Sequence, residues 1–488
     1  MGLKGSDKGN QAGVKQMLKC RYTFTEKDKK PQVFRYKETL ADARDATKCT
    51  REQCSTALDG NVMMMQVPQM VRPLEGYVSV VFNQLLSAMA TAAVVVVCFD
   101  EPAILTVAKS KEQQRRDATR KKSKKRKLPD DEIDIPLNSR DLDAFPKTDD
   151  YDEQELLAVV DCHEVMACRP ARLRFLDEVV KRVLDRCKRK LAAWEASGAP
   201  KGVVIFDGVD PQGASRPIGN PRRPGIVSTN DDVGTLFAHP ETPIGEGDMK
   251  LPFVAQRVRE LVSEERGGDL IGRMKMHLCV TIDTDAIAIE MLEAARRQET
   301  PLKGRAVGGM LCMRERLGGN AASSRDDEDQ KAGPTSMYWC IDLDLLYNLI
   351  QRDLWYIRKE PPTLFERRLA TTYMVAGWVL GGCDYVENFG LRADVVMDVV
   401  PCLMKKYPDN VETMHAAWSG DREKAMQMRF GFRRLLDQCV HWMSDMRGVQ
   451  KRTVESVNHA EKLKLLQACW VVSYWSGAPP VQTPELAG

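Results

Sequence analysis

Three stretches of the chain are apolar at nearly every position and then stop at an aspartate. AVVVVCFD (93–100) is the strongest, followed by GVVIFDG (202–208) and HLCVTIDTD (277–285). A continuous Val/Ile/Leu run of this length predicts a strand buried on both faces, as in a parallel sheet. TALDGNV (56–62) is a weaker copy of the same pattern. Helical periodicity fills much of the remainder. Residues 171–195 predict a helix with one apolar and one basic face, and further helices are expected over about 250–265 and over 363–385, the last ending at a Gly pair. Residues 391–475 read as mostly helical. The Pro- and Gly-rich 209–244 and the Gly-rich, polar 304–335 read as loops. Strands that alternate with helices predict an α/β fold around a mostly parallel, Rossmann-like sheet.

Length and composition narrow this picture. A chain of 488 residues suits one large α/β core with insertions, or two to three units. The apolar run 88–99 is too short to span a bilayer, so no membrane partner is expected. The 14 Cys contain no CxxC pair, which argues against a ribbon or finger-type zinc site. Cys49 with Cys54, and Cys162 with His163 and Cys168, lie close in sequence, but buried or unpaired thiols are the simpler reading. Scattered cysteines without a signal peptide predict a reducing, intracellular setting. Seven tryptophans (339, 355, 378, 418, 442, 470 and 475) and the methionines at 63–65 read as core packing rather than as stacking platforms or a metal site.

The net charge of +3 hides a sharp local asymmetry. Eleven of the nineteen residues 109–127 are Lys or Arg, ending in KKSKKRK, and eleven acids follow within 130–155. The basic block fits either a nuclear import signal or contact with nucleic acid. The acidic stretch has too few apolar residues for a packed core, and it could recruit a protein partner.

The acids at strand ends carry the candidate chemistry. Asp59, Asp100, Asp207, Glu246 with Asp248, Asp283 with Asp285, and Asp384 all follow predicted strands or begin predicted helices. Singly, each has a plain reading as a helix cap or turn residue. If the strands are parallel neighbours, however, the acids converge on one sheet edge. Carboxylates packed that closely need cations. Oxygen donors with little His or Cys select Mg²⁺, or Mn²⁺, over zinc. Two such ions suit in-line displacement at phosphate. Lys109, Lys111, Arg115 and Arg116, just beyond Asp100, could hold that phosphate. YWCIDLDLLYNLI (338–350) carries another alternating pair, Asp342 and Asp344, whose apolar surroundings suggest a helix start or strand end instead.

Taken in order, these motifs resemble the structure-specific 5′ nuclease superfamily, which includes flap endonucleases, XPG-type nucleases and Xrn-type 5′→3′ exoribonucleases. MGLKG resembles the family's opening, and TALDGNVMMMQ resembles the strand that carries its first Asp, here Asp59. CFDEPAILTVAKSKEQQRR is similar to the Xrn-type segment in which an Asp precedes a basic helix. GEGDMK resembles the family's Gly-Glu-Gly-Glu element, TIDTDAIAI its next strand, and LGGCDY the Leu-Gly-x-Asp-Tyr segment. The resemblance covers roughly 1–120 and 240–400. It implies a PIN-like nuclease core in two halves, 1–120 and 241–390. A charged arch insertion (121–240) would separate them, and a helical C-terminal region (391–488) would follow.

The resemblance further implies a metal-dependent 5′ nuclease, either a 5′→3′ exonuclease or a flap endonuclease, acting on DNA or RNA, with a nuclear, DNA-repair type of role. Asp59, Asp100, Glu246, Asp248, Asp283, Asp285 and Asp384 would hold two Mg²⁺ ions (or Mn²⁺). Lys109 and Arg115 would grip the phosphate. VVIFDGVDPQ is itself similar to the flap-endonuclease Val-Phe-Asp-Gly strand, so Asp207 competes with Asp100 for the second acid. Two other classes remain as alternatives: a non-catalytic nucleic-acid binder on a degenerate nuclease scaffold, and a DxD-type glycosyltransferase using Asp283 and Asp285.

Overall fold

The computed structural model describes residues 11–22, 33–67, 74–100, 169–212, 224–238, 247–299, 307–316, 336–356, 361–383, 391–406 and 431–439, together with isolated positions 386, 441, 465, 467–469, 471, 472 and 475. Eight strands form one mixed sheet in the order β1-β8-β7-β6-β2-β3-β4-β5. In chain order they are β1 (Phe34–Lys37), β2 (Cys54–Asp59), β3 (Val94–Cys98), β4 (Val203–Val209), β5 (Gly225–Ser228), β6 (Met276–Thr281), β7 (Gly308–Arg316) and β8 (Ser336–Asp342). The central pairs β2–β3, β2–β6, β3–β4 and β6–β7 are parallel. The outer pairs β1–β8, β7–β8 and β4–β5 are antiparallel. All four aspartate-terminated runs are therefore parallel neighbours, in the order β6-β2-β3-β4.

The run VVVVC is buried at every position because both faces of β3 are covered. Val94, Val96 and Cys98 face one apolar layer, and Val95 and Val97 face the other, where Phe99 continues the alternation. The first layer is built from α1 (Gln11–Tyr22), α7 (Gly247–Ser263), α9 (Asp285–Glu299), α10 (Leu343–Leu354), α11 (Leu364–Leu380) and α12 (Ala393–Lys406). The second is built from α3 (Gly60–Met65), α4 (Leu74–Thr91) and α5 (Arg169–Ala196). Short helices α2 (Leu40–Asp45), α6 (Asp231–Phe237) and α8 (Gly268–Gly272) complete the set of described helices named here. This is an α/β architecture, a mixed sheet with helices on both faces, an arrangement compatible with a Rossmann-like fold. Val179, Val180, Val183 and Cys187 bury the apolar face of α5, while Lys181, Lys188 and Arg189 on its other side are exposed. Met63, Met64, Trp339, Trp378 and Trp475 are buried in the core, as their reading required.

Several elements differ from the sequence reading. β5 and α6 lie inside 209–244, where Pro and Gly suggested only loop. β5 is a four-residue edge strand, and Asn230 caps α6 through Val233 N–H. β7 lies inside 304–335; it opens on a Gly pair and ends in charged residues, which masked its apolar centre. β1, also unpredicted, is a short edge strand in which only Phe34 is buried. β4 and β5 come from within 121–240, so part of that stretch belongs to the sheet itself. Among the described residues, no helix is long and apolar enough to cross a membrane.

Candidate carboxylate site at the sheet edge

Chain order and strand order part company at β2. The path runs from β2 to β3 to β4 on one side and then returns to β6 on the other. A crevice at the C-terminal ends of parallel strands, where the winding reverses, is where open α/β sheets place ligands. The acids lie there. Asp59 ends β2 and pairs in register with Cys98 on β3, which pairs with Asp207 on β4. The three residues thus form one row across three adjacent strands, with a thiol between two carboxylates. The alternation along each strand turns the row toward the layer that contains α7. Burial, followed by the charge of Asp207, pushes the Cys98 thiol well above its usual range. It therefore stays protonated and neutral, which excludes it as a nucleophile at ordinary pH.

Three helices begin at this edge, and an aspartate serves each. Asp59 is the N-cap of α3, where its Oδ1 accepts from Asn61 N at 3.0 Å and Val62 N at 3.2 Å. Asp100, two residues beyond β3, accepts from Gly247 N at 2.7 Å across 147 residues of sequence, at the first residue of α7. Asp283 accepts from Asp285 N at 3.0 Å as α9 begins, while its own N–H donates to Thr281 Oγ1 at 3.1 Å. For these three acids the capping reading holds as far as it goes. The same geometry gathers the positive ends of three helix dipoles and several carboxylates in one place.

Gly247 shows how tightly the parts meet. A Cβ at that position would lie 2.6 Å from the Cys98 carbonyl oxygen and 3.3 Å from Asp59 Oδ1. Only a glycine lets α7 start against the end of β3. One turn further, Lys250 is fully buried and its Nζ lies 3.1 Å from Asp207 Oδ2. Gly208, at φ +84°, is the matching concession on β4, since a Cβ there would meet the Phe99 carbonyl oxygen at 2.7 Å and Lys250 Nζ at 3.1 Å. Breaking such a buried pair from one side costs about 3–5 kcal/mol. Nothing in the local pattern of GEGDMK marks Lys250 as buried. A lysine four residues after a glutamate reads as surface until the helix axis is known.

The placement of the remaining candidates is uneven. Asp285 is buried in the first turn of α9, and Asp283 is half-buried just before it. Asp248 is the second residue of α7. Glu246, Asp384, Lys109 and Arg115 lie outside the described residues, as do Lys111, Arg116, Cys162, His163 and Cys168. Among the described residues, no three His, Cys, Asp or Glu side chains form a group that could hold a metal ion. The donors present are carboxylate oxygens, the ligand type a hard divalent cation takes, and the protonated Cys98 thiol is not among them. A complete ligand set would need Glu246, Asp248 or Asp384 as well. Asp342 and Asp344 stand apart: Asp342 ends β8, which runs opposite to β7, and it caps α10 through Leu345 N–H.

A second polar cluster sits at the opposite edge, around the far end of α7. Arg259, Arg297, Glu290 and His277 are in electrostatic contact there. Arg259 Nε donates to the Val307 carbonyl at 3.1 Å, and Arg297 pairs with Asp344 at 3.3 Å. Gly309 lies close to both guanidinium groups. His277 is completely buried beside Ser55, its Nδ1 2.8 Å from Ser55 Oγ. Burial, with the two arginines adding to it, lowers His277 to about 3.

Comparison with protein-family models finds no match for this chain, and comparison with curated proteins finds none either.

Proposed function

We propose that this protein is a divalent-cation-dependent nuclease with a PIN-like core, cleaving phosphodiester bonds in nucleic acid from or near a 5′ end. The observation that carries the reading is the common address of the acids. Asp59 and Asp207 share one row of the central sheet. Asp100 and the start of α7 meet beside that row, and Asp283 and Asp285 open α9 at the same end of the neighbouring strand. The ordered resemblance of the motifs to 5′ nucleases supports the same conclusion. A DxD-type sugar transferase would use Asp283 and Asp285 and leave the Asp59 row without a role.

In this reading Asp59, Asp100, Asp283 and Asp285 hold Mg²⁺ or Mn²⁺ together with Glu246, Asp248 and Asp384. Divalent cations there supply Lewis acidity at the phosphate and a more acidic water. The protein's own groups do the rest. Lys109 and Arg115, following β3 in sequence, offset charge on the phosphate as it reacts. The three helix N-termini fix their capping carboxylates, so the site is held before substrate arrives.

The test is cleavage of 5′-labelled single strands and flaps, in DNA and RNA, with free and blocked 5′ ends, in Mg²⁺ or EDTA. Asp283→Ala and Glu246→Ala should each lower the rate at least about a hundredfold without loss of the folded circular-dichroism signal. The absence of any Mg²⁺-dependent product would refute the proposal, and tight binding without cleavage would favour a non-catalytic binder.

A further inference from the structure

Lys250 is the one described lysine in the acid row's neighbourhood whose whole side chain is buried, and it sits where a cation would be expected. It lies three residues beyond Gly247, whose Cβ position is 3.3 Å from Asp59 Oδ1, and its ammonium is 3.1 Å from Asp207 Oδ2. Asp59 and Asp207 are two strands apart, roughly 10 Å at the usual strand spacing, so one fixed charge acts on both. The Cys98 thiol between them is in electrostatic range of Lys250, Asp207 and Asp59 alike. A surface lysine could leave such a site with little consequence, whereas a buried one cannot move away.

We infer that Lys250 is a positioning residue of the carboxylate site, a built-in monovalent cation. It balances Asp207 inside the fold, and its fixed charge opposes a divalent ion held at the neighbouring Asp59, Asp100 and α9 acids. The second part rests on the nuclease reading; the first does not. The assignment also separates the two competing aspartates. Asp207 balances charge inside the fold, and Asp100 stands at the edge, fastened to the start of α7. A consequence is that Lys250 weakens divalent binding. In general, a unit charge about 8 Å from a divalent ion shifts its affinity by between roughly five- and a thousandfold as the effective dielectric falls from that of water to 20.

The experiment uses the full chain as wild type, Lys250→Met, Asp207→Asn and the double variant. Melting is measured in EDTA, and Mn²⁺ binding by calorimetry. Lys250→Met should melt well below wild type, because it strands Asp207, and the double variant should recover most of that loss. Folded Lys250→Met should bind Mn²⁺ at least about fivefold more tightly than wild type, and the double variant should lose that gain. The inference falls if Asp207→Asn fails to rescue Lys250→Met, which would make the lysine a packing element only. It also falls if wild type binds Mn²⁺ and Lys250→Met binds it no more tightly. Absence of Mn²⁺ binding in every variant would instead sink the metal-site reading, and the divalent half of this inference with it. The rescue result would still decide the charge-pair half. If Lys250→Met alone does not fold, a folded double variant supports the pairing and an unfolded one overturns it.

Discussion

Replacing Gly247 with alanine puts the geometry of the site to a sharp test. The added methyl would lie 2.6 Å from the Cys98 carbonyl oxygen, and ordinary contact begins at 3.4 Å. The shortfall is roughly 0.8 Å in a close-packed interior. Neither partner yields easily: one is the backbone of the central strand, and the other is the first residue of a seventeen-residue helix whose apolar side is in the core. Withdrawing α7 by that distance would stretch the 2.7 Å bond from Gly247 N to Asp100 beyond hydrogen-bonding range. Overpacking costs about 1–3 kcal/mol, and a lost hydrogen bond to a carboxylate about 1.5–3. Partial relief of one by the other leaves an expected loss of about 2–5 kcal/mol. Gly272 is the control, because nothing lies within 4 Å of its Cβ position. Gly272→Ala should be neutral or stabilising by up to about 1 kcal/mol. Urea denaturation of the two variants, read by circular dichroism, gives both numbers. A Gly247→Ala protein within about 0.5 kcal/mol of wild type would show that α7 does not abut β3 as described.

Two further outcomes follow from buried titratable groups. His277 is held near 3 against an ordinary 6.5. The unfolded chain therefore takes up a proton that the native state refuses, so stability is full above pH 6.5 and falls toward pH 3, by at most about 1.4 kcal/mol per pH unit. His277→Gln should flatten that limb relative to wild type in melts between pH 7 and 4, and an unchanged slope would refute the assignment. Among the described cysteines, Cys20 and Cys402 are exposed while Cys98, Cys279 and Cys312 are buried with raised values. Native protein should let a thiol reagent label the first two within minutes and the last three only after denaturant. Prompt labelling of Cys98, read by peptide mass, would contradict the closed row.

How far the sequence carries depends on the kind of signal. β3 and the first half of β4 are legible because both faces of each are covered, so their runs are continuously apolar. The arrest of the β3 run at Asp100 then marks the strand's end, whereas β4 continues, buried, two residues past Asp207. β7 is not legible, because it begins on Gly308–Gly309 and ends on Arg314, Glu315 and Arg316, so only its middle carries the pattern. β1 and β5 are edge strands of four residues, too short for alternation to register. The convergence of Asp59, Asp100 and Asp283 was inferable once the strands were taken as parallel neighbours. The bond between Asp100 and Gly247 was not, because it depends on how the end of β3 and the start of α7, 147 residues apart, meet in space, which no local pattern encodes. Lys250 shows the same limit: its burial follows from where α7 crosses the sheet, and its letter alone suggests solvent.

The placement of β2 has a consequence for synthesis. Its partner on one side, β3, follows within forty residues, but its partner on the other, β6, emerges only after residue 276. At the usual pace of about 5–20 residues per second, that flank of a wholly buried strand stays open for roughly ten to forty-five seconds. A nascent chain stalled in that interval exposes an apolar edge primed for pairing with its neighbours on a polysome. Chaperone cover during translation is therefore expected to matter most between the synthesis of β3 and that of β6.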